Sequence, residues 1–354
     1  MTASVWQGRR VFLTGHTGFK GSWLATRLAV AGAKVFGYAL APDTEPAMFD
    51  AALVSRRVAA STIADLRDRE TLAARMLEAA PEIVFHLAAQ PLVRRSYRDP
   101  VETWDVNLMG TVSVLEAARH CRDVVGIVAV TTDKVYAHGP VPRPFRESDP
   151  LGGYDPYSAS KAASEIATAS YRDAFLSERG VAVATARAGN VIGGGDWADE
   201  RLVPDVVRAA FGGGELAIRY PDAVRPWQHV LDAIDGYVRL AERALAGEGA
   251  SIARAWNFGP DARDVAPVRD VVSAAASALG ISPSFASAPP EYVEAAVLTL
   301  DSSDAIRELG WGSRLRLADA LEWTARWYRT YYDGGDVAAL TERQIAAYEE
   351  LSRD

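Results

Sequence analysis

The sequence predicts an α/β protein: a doubly wound parallel sheet with a smaller C-terminal α/β lobe. Three observations predict it. Short apolar runs alternate with stretches of helical period through the first half, the pattern of parallel strands joined by right-handed crossovers. The first run ends in a glycine-rich turn that opens a helix. After Asn190 the texture changes to glycine clusters, Gly193–Gly195 and Gly212–Gly214, and shorter elements.

Taken in order, Val11–Thr14 is the first strand and Ser22–Ala31 the helix behind it. Lys34–Ala39 and Arg57–Ile63 follow as strands, and Glu70–Ala80 as a helix that Pro81 stops. Ile83–Leu87 and Val124–Thr131 are continuous apolar runs, which suit strands covered on both faces. The long helical stretch Thr103–Arg119 separates them. Helix Tyr157–Glu178 leads into strand Val181–Arg187. Helix Val230–Ala246 and strand Ala255–Phe258 are expected to return to the first unit. The expected division is therefore 1–190 with 229–258 for that unit, and mainly 191–354 for the other. Ile281–Pro290 reads as a loop, and Leu317–Tyr332 as an aromatic-rich amphipathic helix.

The chain has 354 residues, 49% of them apolar and 24% charged, and a formal charge of −8. That length and balance support a sizeable core and exclude a disordered or fibrous protein. The acidic excess argues against nucleic acid or an anionic membrane as partner, although local arginines can still hold a phosphorylated ligand. Cys121 is the sole cysteine, and His16, His86, His120, His138 and His229 are scattered. No metal site is expected. Met1–Arg10 lacks an apolar signal core and Val124–Val130 is too short to span a bilayer, so the expected setting is the cytoplasm.

Thr14-Gly15-His16-Thr17-Gly18-Phe19-Lys20-Gly21 places three glycines between a strand and a helix. The first allows the tight turn, the second lets backbone approach a pyrophosphate, and the third lets helix and strand pack closely. The helix N-terminus then receives the anion. This is a Rossmann-type cradle for a dinucleotide, with Gly15, Thr17, Gly18, Phe19, Lys20 and Gly21 as its contacts. No acidic residue ends the second strand and no arginine stands there for a 2′-phosphate, so NAD is favoured over NADP. Asp65, with Leu66, is expected near adenine, unless Asp65 is a helix N-cap.

Tyr157 and Lys161 stand four apart on a helix, so phenol and ammonium share one face. A nearby ammonium favours phenolate and makes the tyrosine a usable base. Thr132-Asp133-Lys134 follows a strand end, where doubly wound sheets place their chemistry.

With those residues in view, the sequence resembles the extended short-chain dehydrogenase/reductase family, and within it the CDP-glucose 4,6-dehydratases. The carrying segments are GHTGFKGSWL (Gly15–Leu24), FHLAAQPLVRRSY (Phe85–Tyr97), NLMGTVSVLEA (Asn107–Ala117) and TTDKVY (Thr131–Tyr136). GGYDPYSASK (Gly152–Lys161), RAGNVIGGGDW (Arg187–Trp197) and AVRPWQHV (Ala223–Val230) continue the likeness. Lys134 is the specific mark, since related dTDP-glucose and GDP-mannose dehydratases carry Glu there. The likeness departs at Ala137–Arg143, at Val293-Glu294-Ala295 and at Ser303-Asp304-Ala305.

The resemblance implies an internal redox cycle on a nucleotide sugar, with CDP-glucose as substrate and NAD as cofactor. Tyr157 would take the proton of the sugar 4-hydroxyl while the C4 hydride leaves, with Thr132 bonding the 4-oxygen. Lys161 would hold the nicotinamide ribose and lower the tyrosine pKa. Asp133 would be the acid at O6 if burial keeps it protonated. Lys134 would be the base at C5, or would stay charged and steady the enolate. Leu87, Ala88, Ala89 and Thr131 would complete the cofactor contacts. Asn190, Arg201 and Arg225 would face the nucleotide side, with Gln90 and Arg94 near the sugar. A homodimer or homotetramer is implied through helices Thr103–Arg119 and Tyr157–Glu178. A nucleotide-sugar 4-epimerase, a dehydratase of another nucleotide sugar and a non-catalytic NAD(P)-binding sensor are the competing readings.

Overall fold

Seven parallel strands form the main sheet of the computed structural model, which describes residues 4–137, 143–213, 216–218, 220–281, 285–287 and 298–351. The strands in chain order are β1 (Arg10–Thr14), β2 (Lys34–Ala39), β3 (Ala60–Ile63), β4 (Ile83–His86), β5 (Gly126–Val130) and β6 (Ala182–Ala188). They continue as β7 (Asn190–Ile192), β8 (Leu216–Ile218), β9 (Val224–His229), β10 (Ala255–Phe258), β11 (Val265–Pro267) and β12 (Phe285–Ser287). The main sheet runs β10-β6-β5-β4-β1-β2-β3. The chain thus builds outward from β1 to β3, then restarts at β4 on the other side of β1. That reversal leaves a crevice beyond the carboxyl ends of β1 and β4, where α/β sheets bind ligands.

Strands β4, β5 and β6 are buried along their whole length, which explains their unbroken apolar or small-residue character. Alternate residues face opposite cores. Val11, Leu13, Ile83, Phe85 and Val128 meet Trp23, Leu24, Leu231 and Ile234 on one side. Phe12, Val84, Ile127 and Val183 meet Leu72, Met76, Val114 and Leu115 on the other. Full burial of one such Leu or Ile stabilises by about 2 kcal/mol. The edge strand β3 is largely exposed and correspondingly polar.

Helix Val230–Leu245 packs on β5 and β6, and β10 pairs with β6. The chain therefore returns to the large sheet after leaving it. A three-stranded sheet, β11-β9-β7, and a pair, β12-β8, stand beyond the strand ends. The last helix, Val337–Glu350, does not belong to that outer part. It lies on helix Phe19–Val30, where Tyr348 Oη donates to Asp232 Oδ1 at 2.8 Å and Glu349 meets Arg27 at 3.5 Å. Within 191–354 this helix therefore packs on the first unit.

Several boundaries differ from those the sequence suggests. The first helix begins at Phe19, three residues before Ser22, because Gly18 is its N-cap. The stretch expected as one helix, Thr103–Arg119, is helical throughout but carries a π turn at Asp105–Met109, between Pro100–Trp104 and Gly110–Arg119. The turn holds Asn107, whose amide nitrogen donates to Gln90 O and Ser160 Oγ, while its oxygen accepts from Gln90 N. A second π turn, Arg172–Leu176, ends the helix Pro156–Tyr171. Within the expected loop Ile281–Pro290, Phe285–Ser287 pairs with β8. His138, most of Ala137–Arg143, Val293–Ala295 and the rest of that loop fall outside the described residues. Among the described residues no helix is long and apolar enough to cross a membrane.

Candidate active site

The three glycines of the first turn have distinct tasks. Gly15 has φ +79° and a Cβ there would lie 2.7 Å from Ala88 N, so the turn presses against the chain after β4. A Cβ on Gly21 would stand 2.0 Å from Gly15 O, which fixes helix against turn. At Gly18 a Cβ would meet only Gly15 O, at 3.5 Å, so this position faces open space. Gly18 is also the helix N-cap and has no side-chain cap. The first-turn N–H groups therefore face a cleft that accepts an anion.

That cleft has a volume of about 590 Å³ and follows the sheet's carboxyl edge into the outer lobe. Every site residue expected from the sequence lines it, from Gly15, Thr17, Phe19, Lys20, Asp65 and Leu66 through Leu87–Ala89 to Asn190, Arg201 and Arg225. Its floor is formed by Thr131–Lys134, Tyr157 and Lys161.

Residues 133–135 form a single 3₁₀ turn off the end of β5, capped by Thr132. Thr132 Oγ1 donates to Asp133 Oδ1 at 3.0 Å, and Lys134 Nζ stands 3.9 Å from the same oxygen. Asp133 is 1% exposed and its Oδ2 is buried with no hydrogen-bond partner. An unpaired buried oxygen is costly unless a ligand hydroxyl satisfies it. Gly189 leaves that oxygen room: a Cβ there would lie 3.2 Å from it.

Helix Pro156–Tyr171 starts at Asp155, whose carboxylate caps Ser158 N at 2.9 Å, and its first turns present Tyr157 and Lys161 to the floor. Burial pushes the Tyr157 phenol up to about 12, against the lowering hydrogen bond of Thr132 and the charge of Arg201. Lys161 Nζ donates to Val130 O at 2.8 Å. Burial pulls this ammonium down to about 8, opposed by Glu165. Burial, the largest influence on the Tyr157 phenol, outweighs the lowering influences beside it. The two share a helix face, and the strand carbonyl of Val130 holds the lysine ammonium there.

Lys20 projects toward the same floor. Burial, then repulsion by Arg201, lowers it to about 8, while Asp133 and Asp196 oppose the shift. Arg201 bonds Asp196 Oδ2 at 2.9 Å. Arg225 is buried on β9 and gives one N–H to Val224 O at 3.0 Å. Arg94 pairs with Glu200 at 3.9 Å.

One expectation is narrowed and one alternative is excluded. Gln90 spends its amide on the protein, donating to Thr103 Oγ1 and Leu92 O and accepting from Leu92 N, so it shapes the cleft wall and offers little to a sugar. Asp65 is not an N-cap; Asp68 caps the next helix through Thr71 N. The hydrogen bond from the Arg67 side chain holds the Asp65 carboxyl below its usual range. Residues that sequence reasoning missed are Asp43, Asp196 and Tyr220, all in the cleft wall. Asp196 lies in the quoted GGGDW segment, but no spacing rule marks an acid in a loop as the partner of Arg201.

Comparison with known proteins agrees with this geometry. Residues 11–259 match the NAD dependent epimerase/dehydratase family. The chain belongs to that family. This epimerase/dehydratase chain is 42% identical to a CDP-glucose 4,6-dehydratase of Salmonella typhimurium, over 97% of both chains. It is 30% identical to a UDP-glucose 4-epimerase of Mycolicibacterium smegmatis, over 90% of this chain and 98% of that one. Among solved structures, a dTDP-glucose 4,6-dehydratase of Streptomyces venezuelae with NAD bound superposes with a TM-score of 0.78 at 25% identity. That likeness covers 92% of this chain and 99% of that one.

Proposed function

We propose that the chain is an NAD-dependent CDP-glucose 4,6-dehydratase forming CDP-4-keto-6-deoxyglucose. The observation that carries it is the Asp133–Lys134 pair beside Tyr157 and Thr132. A 4-epimerase needs the tyrosine and threonine only; an acid and an amine next to them serve removal of water. The likeness to the Salmonella enzyme supports CDP-glucose as the substrate.

The open backbone at Gly18 and the uncapped helix N-terminus fit a dinucleotide pyrophosphate. Gly15 to Gly21, Leu66, Leu87–Ala89 and Thr131 would hold NAD, with Lys161 at the nicotinamide ribose and Asp65 toward adenine. When bound, NAD supplies the hydride acceptor for oxidation at C4 and the donor for reduction at C6.

Tyr157 removes the proton of the 4-hydroxyl, and Thr132 bonds the oxygen that becomes the ketone. The ketone acidifies C5–H, which Lys134 removes or whose enolate it steadies. Asp133 delivers a proton to the 6-hydroxyl so that water departs. Arg201 and Arg225 grip the diphosphate, with Asn190 and Arg94 completing the wall. Residues 1–190 with 229–258 are the NAD-binding part, and the smaller sheets carry the nucleotide sugar. Val101, Ile166 and Phe175 are exposed on the helical stretches expected to pair subunits, and a homo-oligomer belongs to this reading. The enzyme is cytoplasmic in this reading, with no nucleic-acid or membrane partner.

Incubation with CDP-, dTDP-, UDP- and GDP-sugars without added reductant tests the assignment. The expected product is one 4-keto-6-deoxy sugar, from the CDP substrate. A C4 epimer of unchanged mass would identify an epimerase, and NAD binding without product a sensor.

A further inference from the structure

Beneath the catalytic floor lies a buried ion pair that the proposed mechanism does not use. Glu165 follows Lys161 by one helical turn and is 4% exposed; Arg187, on β6, is 3% exposed. Arg187 Nε and Nη2 each donate to one oxygen of Glu165 at 2.9 Å, a two-pronged pairing. The same carboxylate accepts from Thr131 Oγ1 and Thr185 Oγ1, both at 2.6 Å. Thr131 is the residue immediately before Thr132. The other arm of Arg187 donates to Tyr136 Oη at 2.8 Å, and Tyr136 donates to Asn257 Oδ1 at 2.6 Å.

One charge pair thus grips both ends of the segment 131–136 that carries Thr132, Asp133 and Lys134. It also ties that segment to the helix of Tyr157 and Lys161. A carboxylate with four hydrogen bonds is fully satisfied, and a buried pair so bonded holds a single geometry. Around Lys161 stand Glu165 and Tyr157 on its own helix, Lys20 from the first helix and His86 from β4. His86 is held neutral by burial and by Lys161 itself, down to about 3. Among the described residues, Glu165 is the carboxylate acting on Lys161.

We propose that Glu165, locked by Arg187, is a positioning residue for the oxidation step: it fixes the Thr132 segment against Tyr157 and sets a carboxylate one helical turn from Lys161. The proposal rests on the reading of Tyr157 and Lys161 as the oxidation pair. Loss of the Glu165 charge removes the support for the Lys161 ammonium, and with it a cation that favours phenolate at Tyr157.

The test compares pH profiles of wild type, Glu165→Gln and Glu165→Asp with CDP-glucose. For Glu165→Gln the rise of kcat is expected about one pH unit above wild type, with kcat at neutral pH down about tenfold and KM for the sugar within about twofold. Glu165→Asp keeps the charge but shortens the arm, so its profile stays in place while kcat falls. A Glu165→Gln profile superimposed on wild type overturns the proposal. If the unpaired guanidinium unfolds that variant, Glu165→Gln/Arg187→Met removes both charges of the pair, and the same shift is expected of it. Failure of both to fold makes the pair purely structural and also overturns the proposal. Wild type is the reference in the same assay, so an inactive wild type contradicts the dehydratase reading, whereas an unshifted variant contradicts this one.

Discussion

Lys134 Nζ lies 3.9 Å from Asp133 Oδ1, the lysine side chain 28% exposed and the aspartate 1%. Both line the cleft, the amine at its surface and the carboxyl buried, which in the proposed cycle suits them to different atoms of one sugar. Lys134→Met is expected to abolish exchange of the C5 hydrogen with deuterated solvent, yet permit C4 oxidation. Exchange at the wild-type rate in that variant removes Lys134 from the C5 step.

In the proposed cycle Tyr157 acts as phenolate, and burial opposes that form. The dehydration rate should therefore rise with pH, because the deprotonated fraction grows as pH approaches the raised pKa. Tyr157→Phe should lower kcat by about 10²- to 10⁴-fold, the usual contribution of a positioned base. Binding of the nucleotide sugar, followed by calorimetry, should remain near the wild-type level. Weakened binding that matches the lost rate would make the phenol a binding group instead.

The glycine turn separates fold from ligand. Gly21→Ala forces a methyl to 2.0 Å from Gly15 O and should lower the melting temperature, by the few kcal/mol that overpacking costs. Gly18→Ala meets nothing nearer than 3.5 Å and has φ −77°, so its melting curve should match wild type. Its NAD affinity should nonetheless drop at least about tenfold, since the methyl occupies the pyrophosphate approach. Unchanged affinity in Gly18→Ala places the dinucleotide elsewhere.

Asp232, in the first turn of helix Val230–Leu245, ties the last helix to that helix by accepting from Tyr348 Oη at 2.8 Å, and accepts from Arg314 N at 2.7 Å. Burial, with Asp235 nearby, raises its carboxyl to about 7. The unfolded chain has a value near ~3.9, so the folded state binds the extra proton between the two values. Stability from this group is full below about pH 4 and is lost as pH rises through 7. Asp232→Asn keeps an acceptor oxygen without the charge. It should change the melting temperature little at pH 5 and raise it at pH 8, by up to about 4 kcal/mol in stability terms. An equal effect at both pH values contradicts the buried-charge account.

The strands of the main sheet were legible because burial on both faces leaves continuous apolar runs such as Ile83–His86. The cradle was legible because glycine has only a few reasons to recur in a strand–helix turn. Tyr157 and Lys161 were legible because helical spacing puts i and i+4 together. The π turns were not, since Asp105–Met109 reads like any helix and its bulge exists for the bonds of Asn107 to Gln90 and Ser160. Neither was the Glu165–Arg187 pair, whose partners sit on separate elements 22 residues apart and meet only through the sheet. The pKa of Tyr157 also escaped sequence reasoning, because spacing says which residues are near and not how deeply they are buried.

The central claim is that one hydride leaves C4 and returns to C6 of the same CDP-sugar within a single active site. CDP-glucose deuterated at C4, incubated with the enzyme and no added reductant, tests it directly. The expected product has lost one water and carries the deuterium at C6. Deuterium retained at C4, or a product of unchanged mass with inverted C4, would contradict it.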